Sequence, residues 1–130
     1  MDPVDMLAND AASAALGIRA RHLSPGRATL TMTVTDKMVN GHGIGHGGYV
    51  FLLADTAFAC ACNRKGEPTV AAQAEIDFLA PVREGDELTA DAVERHRRGR
   101  SGIYDITVRR GDEVVAEFRG RSRTLKSPPA

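Results

Sequence analysis

Hydrophobic and polar positions change their rhythm several times along the chain. Val4, Leu7, Ala11, Ala14 and Ala15 recur at helical spacing, which predicts a short amphipathic helix over Val4 to Leu16, stopped by Gly17. From Arg27 to Thr35 the pattern becomes a strict alternation: Ala28, Leu30, Met32 and Val34 share one face and Thr29, Thr31 and Thr33 the other. That is a half-buried strand rich in β-formers. Asn40-Gly41-His42-Gly43-Ile44-Gly45-His46-Gly47-Gly48 follows, too rich in glycine for either regular element, and reads as a loop. Tyr49 to Cys62 is then almost wholly apolar. At about 1.5 Å per residue it forms a rod of roughly 21 Å, too short to cross a bilayer, so it is a core helix. A helix that is apolar all round must be covered all round.

The rest reads as strands. Thr69 to Leu79 ends at Ala80-Pro81, and Glu87 to Arg97 follows the turn at Glu84-Gly85-Asp86. Ile103 to Arg109 puts Tyr104, Ile106 and Val108 on one face. After the tight turn at Arg110-Gly111-Asp112, Val114 to Thr124 runs back with Val114, Ala116 and Phe118 inward. The tail over 125–130, with Pro128-Pro129, is expected to be disordered. No repeat or linker divides the chain, so residues 1–130 are expected to form one α+β domain: a sheet wrapped round one buried helix. A sheet covers such a helix on one side only, and a partner subunit is expected on the other.

Composition narrows the function. The 17 basic and 17 acidic side chains balance, so no bulk field draws the chain towards nucleic acid or anionic lipid, and scarce aromatics with no Trp argue against stacking on single strands. The N-terminus lacks a basic start followed by an apolar stretch, so no signal peptide is expected. Cys60 and Cys62, two apart on a helix, are poor disulfide partners, and free buried thiols suit the cytoplasm. His42 and His46 are separated by glycines and do not form a helical metal site, so no metal is expected.

Asp55 is the residue of the apolar helix that is charged at neutral pH. Burying a lone carboxylate costs several kcal/mol or raises its pKa. Either a structural partner compensates it, or it is a catalytic acid or base. Gly47 and Gly48 stand where the helix begins, and N–H groups there lack helical partners and can hold a polarised carbonyl oxygen. Asp55 lies about 12 Å of helical rise beyond Gly47. One helix therefore cannot bring both to one carbonyl unless the substrate lies along it or a second subunit contributes.

His46-Gly47-Gly48 followed by Leu53-Ala54-Asp55-Thr56-Ala57-Phe58-Ala59 resembles the signature of PaaI-type hotdog thioesterases of phenylacetate degradation. Ile76-Asp77-Phe78-Leu79 with Pro81, and Ile103-Tyr104-Asp105-Ile106 through Phe118-Arg119-Gly120, are similar to that family too, so the likeness runs from about Asn40 to Arg123. It implies the hotdog fold, a long central helix wrapped by a five- or six-stranded antiparallel sheet, in homodimers with sites at the interface that commonly pair into homotetramers. It implies hydrolysis of an acyl-CoA, of phenylacetyl or hydroxyphenylacetyl type, with coenzyme A part of the substrate and no separate cofactor.

The residue roles the resemblance implies are Asp55 as general base or nucleophile, the Gly47 N–H polarising the carbonyl, and Asn40 orienting the carbonyl or the attacking water. His46 either hydrogen-bonds the thioester or fixes the glycine turn. Where some relatives hold the water with Ser or Thr after the helix, this chain offers Thr69 or Gln73. The basic stretch Arg95 to Gly102 reads as a solvated hairpin end, or as a grip on the phosphates of coenzyme A through Arg98 or Arg100 with Ser101 beside them. Phe78 and Tyr104 are read as core, with acyl-pocket lining as the second role. Competing functions are an enoyl-CoA hydratase, which would need a His paired with the Asp, and an acyl-CoA-binding protein without turnover.

Overall fold

The computed structural model describes residues 1–126. Six strands form one antiparallel sheet: β1 (Arg19–Ser24), β2 (Arg27–Thr33), β3 (Thr69–Phe78), β4 (Glu87–Arg98), β5 (Ser101–Arg110) and β6 (Glu113–Thr124), in the order β1-β2-β4-β5-β6-β3. The helix α3 (Gly47–Cys62) packs across it, buried through Leu53, Ala54, Ala57, Phe58 and Ala61. The inward alternations of β2, β4 and β5 supply the floor: Leu30, Met32, Leu88, Ala90, Tyr104, Ile106 and Val108 are all buried. This is the hotdog fold. It follows because an apolar rod and a set of one-faced strands hide their apolar surface by wrapping.

The remaining side of α3 is partly roofed by the chain itself. The expected single N-terminal helix is in fact two, α1 (Pro3–Ala8) and α2 (Ala11–Ala15). Asp2 and Asp10 start them, their carboxylates accepting the N–H of Val4 at 2.8 Å and of Ser13 at 2.9 Å. A good N-cap inside a helical repeat breaks the helix there, and the apolar spacing conceals the break. Both pieces pack on α3, so part of the cover expected from a partner is intramolecular.

Other differences have local causes. β1 is unannounced because Arg19, Ala20, Arg21 and His22 are exposed on an edge strand and carry no apolar alternation. β2 ends at Thr33, two residues early, and Val34 donates to the Asp86 carbonyl instead. A bulge in the β5–β6 pairing, where Val108 faces Ala116 but Arg109 faces Val114, turns Val115 inward at 1% exposure. Val114, expected inside, is half-buried. Of the tail, Leu125 donates to the Pro68 carbonyl at 2.9 Å, and residues 127–130 lie outside the described residues.

At the C-terminal end of α3, Asn63 clamps helix to sheet. Its amide donates to the carbonyls of Ala59 and Thr69, and its Oδ1 accepts the Thr69 N–H. Nearby, the Glu94 carboxylate accepts from the Tyr104 hydroxyl at 2.8 Å and from Arg64 at 3.0 Å. Burial alone would raise the Glu94 pKa, but these two donors more than offset it and hold the carboxyl below its usual range.

Candidate active site

The loop before α3 is built to present one amide. Asn40 organises it, its Oδ1 accepting the N–H groups of His42 at 2.9 Å and Ile44 at 3.3 Å. Gly45 donates to the Val82 carbonyl and His46 to the Met38 carbonyl. His46 is the N-cap of α3, its Nδ1 accepting the Gly48 N–H at 3.2 Å. An Nδ1 that accepts carries no proton, so in the neutral ring the proton is on Nε2. Gly48 is therefore committed to the cap and does not contribute a free amide as expected from sequence. Gly47 keeps its N–H without an acceptor among the described residues.

That amide lies at a cavity of about 490 Å³ lined by Asn40, Ile44, Gly47, Val50, Phe78 and Leu79, among others. With Oδ1 holding the loop, the Asn40 Nδ2 has no acceptor among the described residues and is a second donor at the same cavity. Phe78, expected as core, is 55% exposed. Its ring lies against Gly47, where an added Cβ would stand 2.9 Å from the nearest ring carbon. Glycine at 47 thus lets an aromatic wall and a backbone donor share one spot. Tyr104 is core, as expected.

Asp55 is half-buried on α3 and does not line that cavity. Its carboxylate accepts no hydrogen bond among the described residues. Burial, and after it the charge of Asp10, raises its pKa above the ordinary carboxylate value. Within one chain the structure thus gathers Asn40 and Gly47 and leaves Asp55 apart from them.

The other sequence candidates separate. Thr69 is buried at the Asn63 clamp, with its hydroxyl against the Glu67 carbonyl and the Thr124 hydroxyl, away from the Gly47 cavity. Gln73 is exposed and accepts from Arg121 Nε at 2.7 Å. Arg98 and Ser101 line a second cavity of about 310 Å³ with His96, Arg121 and Arg123, whereas Arg100 sits in the adjoining turn outside it. Arg121 and Arg123 were missed, although Arg119, Arg121 and Arg123 alternate along β6 and so share its outer face. The two cysteines are free and buried, and burial pushes both thiols up to about 12, which leaves them inert.

Residues 42–117 match the family model described as Thioesterase superfamily. The chain belongs to the thioesterase superfamily. Within it, the acyl-coenzyme A thioesterase PaaI of Escherichia coli is 50% identical over 121 residues, 92% of this chain and 86% of that protein. The structure of the E. coli PaaI protein from the phenylacetic acid degradation operon superposes with a TM-score of 0.93 at 46% identity, covering 97% of this chain and 92% of that one. A Streptococcus mutans protein bound to acetyl-CoA superposes with a TM-score of 0.80 at 26% identity, covering 86% of this chain and 91% of that one. This thioesterase is a thioester hydrolase, and its described residues include no helix long and apolar enough to cross a membrane.

Proposed function

We propose that the chain hydrolyses an acyl-CoA to the free acid and coenzyme A, with an arylacetyl group as the acyl part and Asp55 as general base. The observation that carries this reading is Asp55 itself: a half-buried carboxylate with no compensating donor and a raised pKa is the state a base on water needs at neutral pH. Asp55 takes a proton from water, and the oxygen adds to the thioester carbonyl carbon. The Gly47 N–H and Asn40 Nδ2 hold the resulting oxyanion. Collapse breaks the C–S bond and releases the coenzyme A thiolate. The aromatic preference rests on the E. coli relative and on the Phe78 wall of the cavity.

Because Asp55 stands apart from the Gly47 cavity in one chain, the reading requires a homodimer in which each subunit supplies one half of a site. β3 is an open edge of the sheet, with Val70 and Phe78 exposed on it, and suits joining to a second copy. Pairing of such dimers into a homotetramer, and a cytoplasmic location fitting two free buried thiols, belong to the same reading.

Thiol release measured over a panel of acyl-CoAs tests it. Phenylacetyl- and hydroxyphenylacetyl-CoA should give the highest kcat/KM. Absence of release with every acyl chain would leave a binding protein, and preference for straight chains would remove the arylacetyl assignment. A single turnover in ¹⁸O water should label the product acid and leave Asp55 unlabelled. Label appearing in Asp55 would make it a nucleophile.

The second cavity suits the phosphates of coenzyme A. Arg121 and Arg123 are engaged by Gln73 and Ser101, while Arg98 is without a carboxylate partner among the described residues. A guanidinium–phosphate bond holds ground state and transition state alike. Arg98→Ala should therefore raise KM roughly tenfold and leave kcat within about twofold. An unchanged KM would place the phosphates elsewhere.

A further inference from the structure

The helix α2 is attached to the rest of the molecule in an unusual way. Its four alanines, Ala11, Ala12, Ala14 and Ala15, are exposed, and its buried residue is a serine, Ser13, at 1% exposure. Leu16, at the C-cap of α2, packs on the core, but within the helix itself the anchoring side chain is polar. The Ser13 hydroxyl donates to Asp10 Oδ2 at 2.7 Å and lies 2.9 Å from Thr56 Oγ1, which is 6% exposed on α3. Since the Ser13 proton goes to Asp10, the Thr56 hydroxyl donates to Ser13, and the chain runs Thr56 to Ser13 to the Asp10 carboxylate. Thr56 is the residue next to Asp55.

We propose that Asp10 is a positioning residue for the hydrolysis: through Ser13 and Thr56 its carboxylate fixes the turn of α3 that carries Asp55 and sets a second negative charge near it. The proposal rests on the reading of Asp55 as the base. If α2 needed only an N-cap, an uncharged Asn at position 10 could accept the Ser13 N–H and bring no second carboxylate near Asp55; the Ser13 hydroxyl, however, donates to the second carboxylate oxygen, a role an amide NH2 cannot fill. Placing like charges together opposes folding, and its benefit falls on Asp55, the group whose basicity rises.

Other ionisable groups do not compete for this role. The inward positions of β4 and β5 carry Glu94, Arg97, Tyr104 and Arg110; Glu94 binds both Tyr104 and Arg64 at the C-terminal end of α3, and Arg110 is held by Asp86 and Glu113. The inward positions of β2, β3 and β6 are unionisable, α1 carries Asp2 and Asp5, and β1 carries Arg19, Arg21 and His22. On α3 itself the other ionisable side chains are Tyr49, in the first turn, and Cys60 and Cys62, which stay protonated. Among the described residues, Asp10 is the charge that, after burial, raises the Asp55 pKa.

The test is Asp10→Asn in the full-length protein, with Asp2→Asn, which alters the corresponding cap of α1, as control. The carbon-13 signal of the Asp55 carboxyl is followed against pH, and kcat/KM is measured over the same range. In Asp10→Asn the Asp55 midpoint should move to lower pH, and kcat/KM at neutral pH should fall roughly threefold to tenfold. The deficit should narrow as the pH drops, because the weaker base stays ionised longer. Asp2→Asn should move neither curve. An unmoved Asp55 midpoint, or a deficit equal at every pH, overturns the proposal. The carboxyl titration reports without turnover, so it stands apart from the question of whether Asp55 is the base, which Asp55→Asn decides.

Discussion

Asp55→Asn is expected to lower kcat by about 10³-fold while raising the melting temperature. The first effect follows from the amide's inability to take a proton from water, in a site where the Gly47 and Asn40 donors remain intact. The second follows from the pKa direction. Burial, then Asp10, places the folded-state pKa of Asp55 above its unfolded value, so the folded protein holds that proton more tightly. The stabilisation this confers is complete below the unfolded pKa and is lost as pH rises through the folded one. At neutral pH the fold thus carries the penalty of an ionised carboxylate, which Asn removes. Thermal melts of both proteins across acid to neutral pH should show a gap in favour of the variant that opens as pH rises. A variant that melts lower at neutral pH would make the carboxylate a structural anchor, and turnover near the wild-type rate would end its role as base.

The parts of the molecule legible in the sequence were those whose burial is one-sided or complete. α3 was visible because a continuous apolar run has one economical place, and β2 because Ala28, Leu30, Met32 and Val34 alternate against threonines. β1 was not, since an exposed edge strand imposes no pattern on Arg19 to His22. The bulge that exchanges Val114 for Val115 was hidden because both are valine. In the site, Gly47 and Asp55 stood out through glycine density and a charge in an apolar helix. Gly48 was misread because the capping of its amide depends on which way the His46 ring turns. Asp10 was invisible as a site residue because its link to α3 passes through Ser13 and Thr56, 43 positions apart. No local spacing rule reaches across that separation.

Gly120→Ala is expected to cause the largest loss of stability among single-methyl additions at the helix–sheet contact. Gly120 is buried on the inner face of β6, and a Cβ there would stand 2.6, 2.7 and 2.8 Å from three atoms of the Phe58 ring. Contacts that short require movement. The ring has nowhere to go: Phe58 is 1% exposed on α3 and lies between Tyr104 at 5.6 Å and Phe118 at 5.9 Å between ring centroids. The methyl must therefore push α3 away from the sheet or distort β6, at a cost of about 2–3 kcal/mol, seen as a drop of roughly 6–15 °C in melting temperature. Phe58→Leu alone should also destabilise, because it leaves a void beside Tyr104 and Phe118. Combined, the two changes compensate, since the smaller side chain makes room for the new methyl. Denaturant melts of the two single variants and the double should give a coupling of about 1–2 kcal/mol in the stabilising direction. Strict additivity would mean that the glycine is required for something other than the approach of the Phe58 ring.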